Sequence, residues 1–331
     1  MQDVAEKAGV SKSTVSQYLN GRFEYMSAET KKRIQTAIEA LGYRPNQVAK
    51  SLKQKRTSTI GLIVANILHR FSTLVCRAVE DTCHEQDYHA IICNADDNPE
   101  KERKYIDMLR AKQVDGILVI PTQDNTDLYE KLIQNGYPLV FLDRKVAGLS
   151  VPSVTLNNRE IARMAAQHLI QQGHEKISLM TPPLGVSSRN ERQAGFCQSL
   201  RDHGLSTRYV VSVELDQIRQ RLDHMLQTDP PTALVTGNDR VLMEALPYLK
   251  EKGISIPETL ALISFDEMEL APLMDPPITT IEQPAMEMGR RATEILLRQI
   301  RGQQADIPLQ TVFDATLCIR QSSRFKRGNL L

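Results

Sequence analysis

The sequence predicts an α/β chain of two parts: a small all-α helix-turn-helix headpiece, then a larger body of two doubly wound parallel sheets. Three observations carry this reading. The first 56 residues hold eleven Lys or Arg against five Asp or Glu, while the remainder holds 30 against 35, so a basic head precedes a mildly acidic body. Glycine-interrupted helical patterns fill the head, and from Thr57 onward β-branched apolar runs alternate with amphipathic stretches. At 331 residues the chain is long enough for two or three ordinary domains.

In the head, Gln2 to Ala8 places Val4, Ala5 and Ala8 on one helical face, and Gly9-Val10-Ser11 supplies a turn glycine and an N-capping serine. A second helix starts at Lys12, buries Val15 and Leu19, and ends at Asn20-Gly21. Ser27 caps a third, Ala28 to Leu41, whose Ile34, Ala37, Ile38 and Leu41 recur at helical spacing before Gly42 and Pro45 stop it. Two short helices across a glycine turn, braced by a third, form a helix-turn-helix, whose second helix lies in the major groove. Lys12, Ser13 and Gln17 fall opposite Val15 and Leu19. Lys suits guanine O6 and N7, Gln pairs bidentately with adenine, and Ser serves either base. Ser11, Thr14, Ser16 and Asn20 are short polar groups that hold phosphates or cap the helix.

In the body, TIGLIV, HAIIC, GILVI and PLVFL are separated by helical stretches such as Glu100 to Lys112, and KISLM, TALVT and LALIS repeat the pattern. Such alternation marks parallel strands with crossover helices. Two similar halves leave a cleft at the carboxyl ends of their strands, where ligands bind in sheets of this kind.

The string DVAEKAGVSKSTVSQYLNG, with MSAETKKRIQTAIEALGYRPNQVAKSLK after it, closely resembles the head of the LacI/GalR family of bacterial repressors, without a gap from Asp3 to Leu52. The resemblance implies base reading by Lys12, Ser13 and Gln17, with the departure that many members carry Arg at the position of Gln17. Members also have several residues, including a capping Thr or Ser, before the aspartate matching Asp3, so the first helix lacks that cap here and Met1 is not established as the true start. Residues 45 to 56 would be a hinge helix and linker that form on a palindromic operator. There Asn46 and Ala49 would contact DNA, and Leu52 of each subunit of a homodimer would wedge into the minor groove.

Across the body the resemblance rests on Ala65 to Ser72, LDR (Leu142 to Arg144), ERQAGF (Glu191 to Phe196), TGND (Thr236 to Asp239), SFDE (Ser264 to Glu267) and ITTIEQP (Ile278 to Pro284). It implies the two-lobed fold of type I periplasmic sugar-binding proteins. The headpiece would span residues 1 to 44 and the effector-binding and dimerisation domain 57 to 331. Lobe 1 would take 57–156 and 284–305, and lobe 2 would take 157–283 and 306–331, with crossings near Asn157, Gln283 and Asp306. Asn157 stands where many members have Asp. By position, His69, Phe71 and Ser72 would line the cleft from the first lobe, and Arg192, Asn238 and Asp266 from the second, with Arg144 and Arg189 close by. Several arginines at a cleft fit an anionic ligand, since the guanidinium fork matches a carboxylate. The strings SKSTVSQYLN, SLKQKRTSTIGLIVANILH, CNADDNPEKERKYI and MLRAKQVDGILV are most similar to the ketodeoxygluconate-responsive repressors of the family. They imply a sugar or sugar-acid effector and control of uronate or pectin breakdown genes.

Rival classes are set against this. No GxG, GK, GxSxG or HExxH occurs, so the usual enzymatic signatures are lacking, and no cofactor is expected. The cysteines Cys76, Cys83, Cys93, Cys197 and Cys318 form no CxxC pair, which argues against disulfides and a metal site. A transport-type sugar-binding protein without a DNA role predicts an export signal and no basic head. The first thirty residues are polar and amphipathic, and no apolar run approaches a membrane span, so the expected location is the cytoplasm, with no membrane partner. A regulator of the same family governed by a phosphoprotein partner is the remaining alternative.

Overall fold

A computed structural model describes residues 1–44, 56–123, 125–303 and 305–324. The chain divides into two compact units, Met1–Ser58 and Thr59–Leu331. The hinge segment, and with it Asn46, Ala49 and Leu52, lies outside the described residues.

The head comprises α1 (Gln2–Ala8), α2 (Lys12–Leu19) and α3 (Ala28–Leu41). Its core is Val4, Ala5, Ala8, Val15, Ile34 and Ala37. Helices α1 and α3 close by the same device: the amide two residues past the end bonds back across the last turn, as Val10 N–H does to Ala5 O (3.0 Å) and Tyr43 N–H to Ile38 O (3.0 Å). That closure needs a left-handed residue, which Gly9 supplies at φ 61° between α1 and α2. Leu41, the last of the residues at helical spacing on α3, is 42% exposed. Tyr43, folded back behind Gly42, packs on the core beside Ile38 instead. Ser27 caps α3, its Oγ accepting from Thr30 N–H at 3.2 Å, whereas α1 has no side-chain cap at Met1.

The body contains two six-stranded sheets of matching order. The first uses β1 (Thr59–Val64), β2 (His89–Asn94), β3 (Gly116–Val119), β4 (Leu139–Leu142) and β5 (Ser153–Leu156). The second uses β6 (Ile177–Thr181), β7 (Val210–Ser212), β8 (Ala233–Thr236), β9 (Ala261–Phe265) and β10 (Thr279–Glu282). The sixth strands are β11 (Gln310–Phe313) and β12 (Thr316–Cys318). The orders are β11-β5-β4-β3-β1-β2 and β12-β10-β9-β8-β6-β7. Every pairing is parallel except β10 with β12. Central strands such as β3, β4, β8 and β9 are buried along their whole length, which is why they read as unbroken apolar runs rather than alternating ones.

Crossover helices cover the faces: α4 (Arg70–Glu85), α5 (Pro99–Ala111) and α6 (Thr126–Gln134) in the first lobe. The second lobe carries α7 (Asn158–Gln171), α8 (Ser187–Asp202), α9 (Ile218–Thr228) and α10 (Asp239–Glu251). A last helix, α11 (Ala285–Ile300), returns to the first lobe and packs on α4, β3 and β4. Burial pushes the thiols of Cys76 and Cys83 up to about 11 and about 12, which leaves them protonated and inert at neutral pH.

The chain passes between lobes three times. The first passage is at Asn157, between β5 and α7, and the second at Gln283–Pro284, between β10 and α11. The third, expected near Asp306, is at Asp314–Ala315 instead. Residues 310–313 pair in parallel with β5 and so still belong to the first lobe. This shift gives Asn157 a role: its Nδ2 donates to Asp314 Oδ1 at 3.3 Å, tying the first crossing to the third. An aspartate at 157 would set two carboxylates face to face.

Helices α7 and α8 form the tightest pair in the second lobe, and Gly195 permits it. A Cβ at 195 would lie 2.0 Å from the Arg159 carbonyl oxygen, a backbone atom that no rotamer change moves aside. Gly195→Ala is therefore expected to force the two helices apart and to cost about 3 kcal/mol. Urea unfolding of the full chain checks this, and a loss under about 1 kcal/mol would show that the pair yields easily.

Candidate functional site

Two surfaces concentrate polar chemistry. On the head, Val15 anchors α2 against the core while Lys12, Ser13 and Gln17 are exposed on its outer side. Ser11 caps the helix: its Oγ accepts from Thr14 N–H at 3.1 Å and meets Thr14 Oγ1 at 2.9 Å. Asn20 Nδ2 donates to Ser16 O at 2.7 Å. Ser11, Thr14, Ser16 and Asn20 thus stiffen the two ends of α2, and the long polar side chains between them remain available to a partner. Sequence reading missed the loop that follows. Phe23 packs edge-on against Tyr18 with centroids 5.7 Å apart and carries Lys31 Nζ 4.4 Å above its ring, while Tyr25 is 99% exposed.

In the body, the residues immediately after the carboxyl ends of the strands converge on one cavity between the lobes. Ala65 follows β1, Ile120 is next after β3, Asp143 and Arg144 follow β4, Gly237 and Asn238 follow β8, Asp266 follows β9, and Gln283 follows β10. In open α/β sheets ligands bind in the crevice outside the carboxyl ends of the strands, next to the point where the strand order reverses, here between β1 and β3 and between β6 and β8. The amino-terminal turns of α4 and α8 add His69, Phe71 and Ser72, and Ser188, Arg189 and Arg192. All eight residues expected at the cleft, His69, Phe71, Ser72, Arg144, Arg189, Arg192, Asn238 and Asp266, line this one cavity. Asp143 and Asp266 occupy equivalent positions in the two lobes and both adopt left-handed backbone (φ 61° and 72°), which Asp tolerates better than most residues.

Three guanidinium groups are held in this space. Arg144, only 6% exposed, donates from Nη1 to Asp97 Oδ1 at 2.8 Å and to Pro121 O at 3.2 Å. Arg189 donates to Pro183 O at 3.0 Å and reaches Asp97 Oδ2 at 3.5 Å. Arg192 donates from Nε to Asn158 Oδ1 at 2.8 Å and from Nη1 to Gly237 O at 3.1 Å, with its plane 4.4 Å from the Phe265 ring centroid. Burial and the neighbouring Arg144 push Arg189 down to about 10, so it stays cationic at neutral pH. Burial alone would raise the Asp97 carboxyl, but Arg144 and Arg189 hold it below its ordinary value. One aspartate serves two arginines. Arg144 Nε, Asp143 Oδ1 and Gln283 Oε1 are buried with no hydrogen-bond partner among the described residues.

A second network ties the lobes beside the cavity. His69 Nδ1 lies 2.5 Å from Asp239 Oδ1, and Arg70 N–H donates to Asp239 Oδ2 at 3.1 Å. Asp266 Oδ2 accepts from Asp239 N–H at 3.3 Å, and its Oδ1 accepts from Gln283 Nε2. Burial raises the Asp266 carboxyl above its usual range even though Arg192 pulls it down, while burial of Asp239 is outweighed by His69 and that group is lowered. His69, Asp239 and Asp266 bring ligand-type atoms within 4.8 Å of one another. All four carboxylate oxygens already accept hydrogen bonds, so the trio is a strut between lobes rather than an open metal cage. Asp97 and Asp239 were not singled out from sequence, although both sit in strings that carried the resemblance.

Comparison with known proteins supplies the context. Residues 57–316 match the family of periplasmic binding proteins and the sugar-binding domain of the LacI family, and residues 1–46 match the bacterial regulatory proteins of the lacI family. The probable HTH-type transcriptional regulator EndR of Paenibacillus polymyxa is 44% identical over 92% of each chain. The HTH-type transcriptional regulator KdgR of Bacillus subtilis (strain 168) is 34% identical over 97% of each. The crystal structure of the lac repressor dimer bound to operator and the anti-inducer ONPF superposes with a TM-score of 0.87, at 24% identity, covering 97% of this chain and 98% of that one.

The electrostatics of the cavity have a direct consequence. Arg192→Ala removes the strongest opposing charge from Asp266 and orphans Asn158 Oδ1, at an expected cost of about 3 kcal/mol in stability. The Asp266 carboxyl should then titrate higher still, as read by carbon NMR of that group. An unchanged Asp266 titration would show that Arg192 does not act on it.

Proposed function

This chain belongs to the LacI family of bacterial regulatory proteins, and on that premise we propose that it is a cytoplasmic repressor that binds a palindromic operator as a homodimer and answers to a sugar acid. That it is a DNA-binding transcription regulator and not an enzyme follows from the family itself. The observation that carries the rest is α2: a polar outer side of Lys12, Ser13 and Gln17 set over buried Val15, on a head with a large excess of positive charge. Such a helix fits the major groove, with the basic surround drawn to phosphate.

The effector reading rests on Arg144, Arg189 and Arg192 around one cavity between two hinged lobes. A carboxylate meets guanidinium groups bidentately, while Ser72, Ser188, Asn238 and Gln283 offer partners to hydroxyls. A sugar acid of the 2-keto-3-deoxygluconate kind has both features. Its binding changes how the lobes close, and through residues 45–56 it changes the grip on DNA. To weaken operator binding a hundredfold, the effector must prefer the released state by about 2.7 kcal/mol.

Selection of genomic DNA fragments by the purified chain, with and without sugar acids, tests the whole reading; retention of random and genomic fragments with equal strength would end it. Lys12→Ala is expected to lose discrimination at one base pair per half-site, worth about 1–3 kcal/mol, with little change elsewhere in the site. A sequence profile identical to that of the unaltered chain would remove Lys12 from base reading.

A further inference from the structure

The space between the lobes is divided into two compartments of different chemistry. The inner one, ringed by Arg144, Arg189 and Arg192, has a free volume of about 50 Å³. It is the narrow, charged part of the cleft, suited to a carboxylate and the groups next to it. Beyond it toward solvent lies an outer compartment of about 580 Å³, lined by Thr122, Gln123, Thr126, Ser187 and Asn190 among others. That volume is in the range of about 300–1,000 Å³ that whole ligands occupy. Arg144 lines both compartments and is the wall they share.

Apart from Arg144, the described outer walls carry balanced charge and are rich in hydrogen-bonding groups. Their one exposed cation, Lys145, is paired with Glu191 at 3.3 Å, and the remaining polar groups named above are amides and hydroxyls. Both lobes build them, and bonds across the gap hold them together: Gln123 Nε2 donates to Leu184 O at 2.9 Å, and Lys145 N–H donates to Ser187 Oγ at 2.9 Å. The approach is close at Gly185, where a Cβ would meet Gln123 Nε2 at 1.9 Å. A ligand that fills the outer compartment is therefore clamped by the same closure that traps a carboxylate inside.

We propose that the effector is an acid-terminated oligosaccharide of at least two sugar units. Its carboxylate seats among Arg144, Arg189 and Arg192, and its hydroxyl-rich remainder lies in the compartment lined by Thr122, Gln123, Thr126, Ser187 and Asn190. The inference rests on the sugar-acid reading above and adds the length and orientation of the ligand.

Titration calorimetry of the full chain with galacturonate, digalacturonate and cellobiose tests it. Digalacturonate should bind at least tenfold more tightly than galacturonate. Ala147, exposed on the rim of the outer compartment, gives the matching variant: Ala147→Phe should reduce digalacturonate binding at least tenfold. Equal or tighter binding of galacturonate overturns the proposed length and leaves the sugar-acid reading standing, and so does full digalacturonate affinity in the variant. Binding of cellobiose with neither acid overturns the sugar-acid reading itself, and binding of none of the three overturns both.

Discussion

Charge removed from water must find partners, and the body of this protein is organised around that requirement. Arg144 and Arg189 share Asp97, and Arg192 rests on Asn158 and a backbone carbonyl. None of these pairings is local in sequence: Asp97 comes from the loop after β2, and Asn158 opens the helix just past the first crossing. Because the guanidinium groups are held by side chains and carbonyls fixed near the ends of buried strands, they are positioned before any ligand arrives. Preorganisation of this kind reduces the ordering cost of binding.

The same economy joins recognition to motion. Asp239 accepts from His69 and from the Arg70 amide, and Gln283, at the second crossing, donates to Asp266 on the cavity wall. Groups that touch the cavity are thus groups that hold the lobes together, and a ligand that competes for them alters lobe closure directly. Asn157 and Asp314 play a comparable part at the other two crossings, where an amide takes the place of a second carboxylate. A two-state element biased by ligand contacts is what allosteric control requires.

In the head the logic is simpler. Six small or branched apolar side chains make its core, and the left-handed glycines Gly9, Gly21 and Gly42 close its helices. So small a core has little surplus, and the caps on α2 matter because they leave Lys12, Ser13 and Gln17 on a rigid support.

Much of this was legible in the sequence, for identifiable reasons. Helices α1 to α3 were readable because capping serines, closing glycines and 3.6-residue periodicity are local properties, and the central strands because burial on both faces leaves unbroken apolar runs. The edge strands β7, β11 and β12 were not: they are three or four residues long, half exposed and without an apolar run. Missing β11 is what moved the expected third crossing to Asp306, since only its pairing with β5 assigns residues 310–313 to the first lobe. The sequence by itself determined the two-part organisation, the exposed polar side of α2 and the residue types destined for the cleft. Tertiary structure alone decided which carboxylate neutralises which arginine and that the cleft has two compartments, because those are distances between strand ends brought together only by folding.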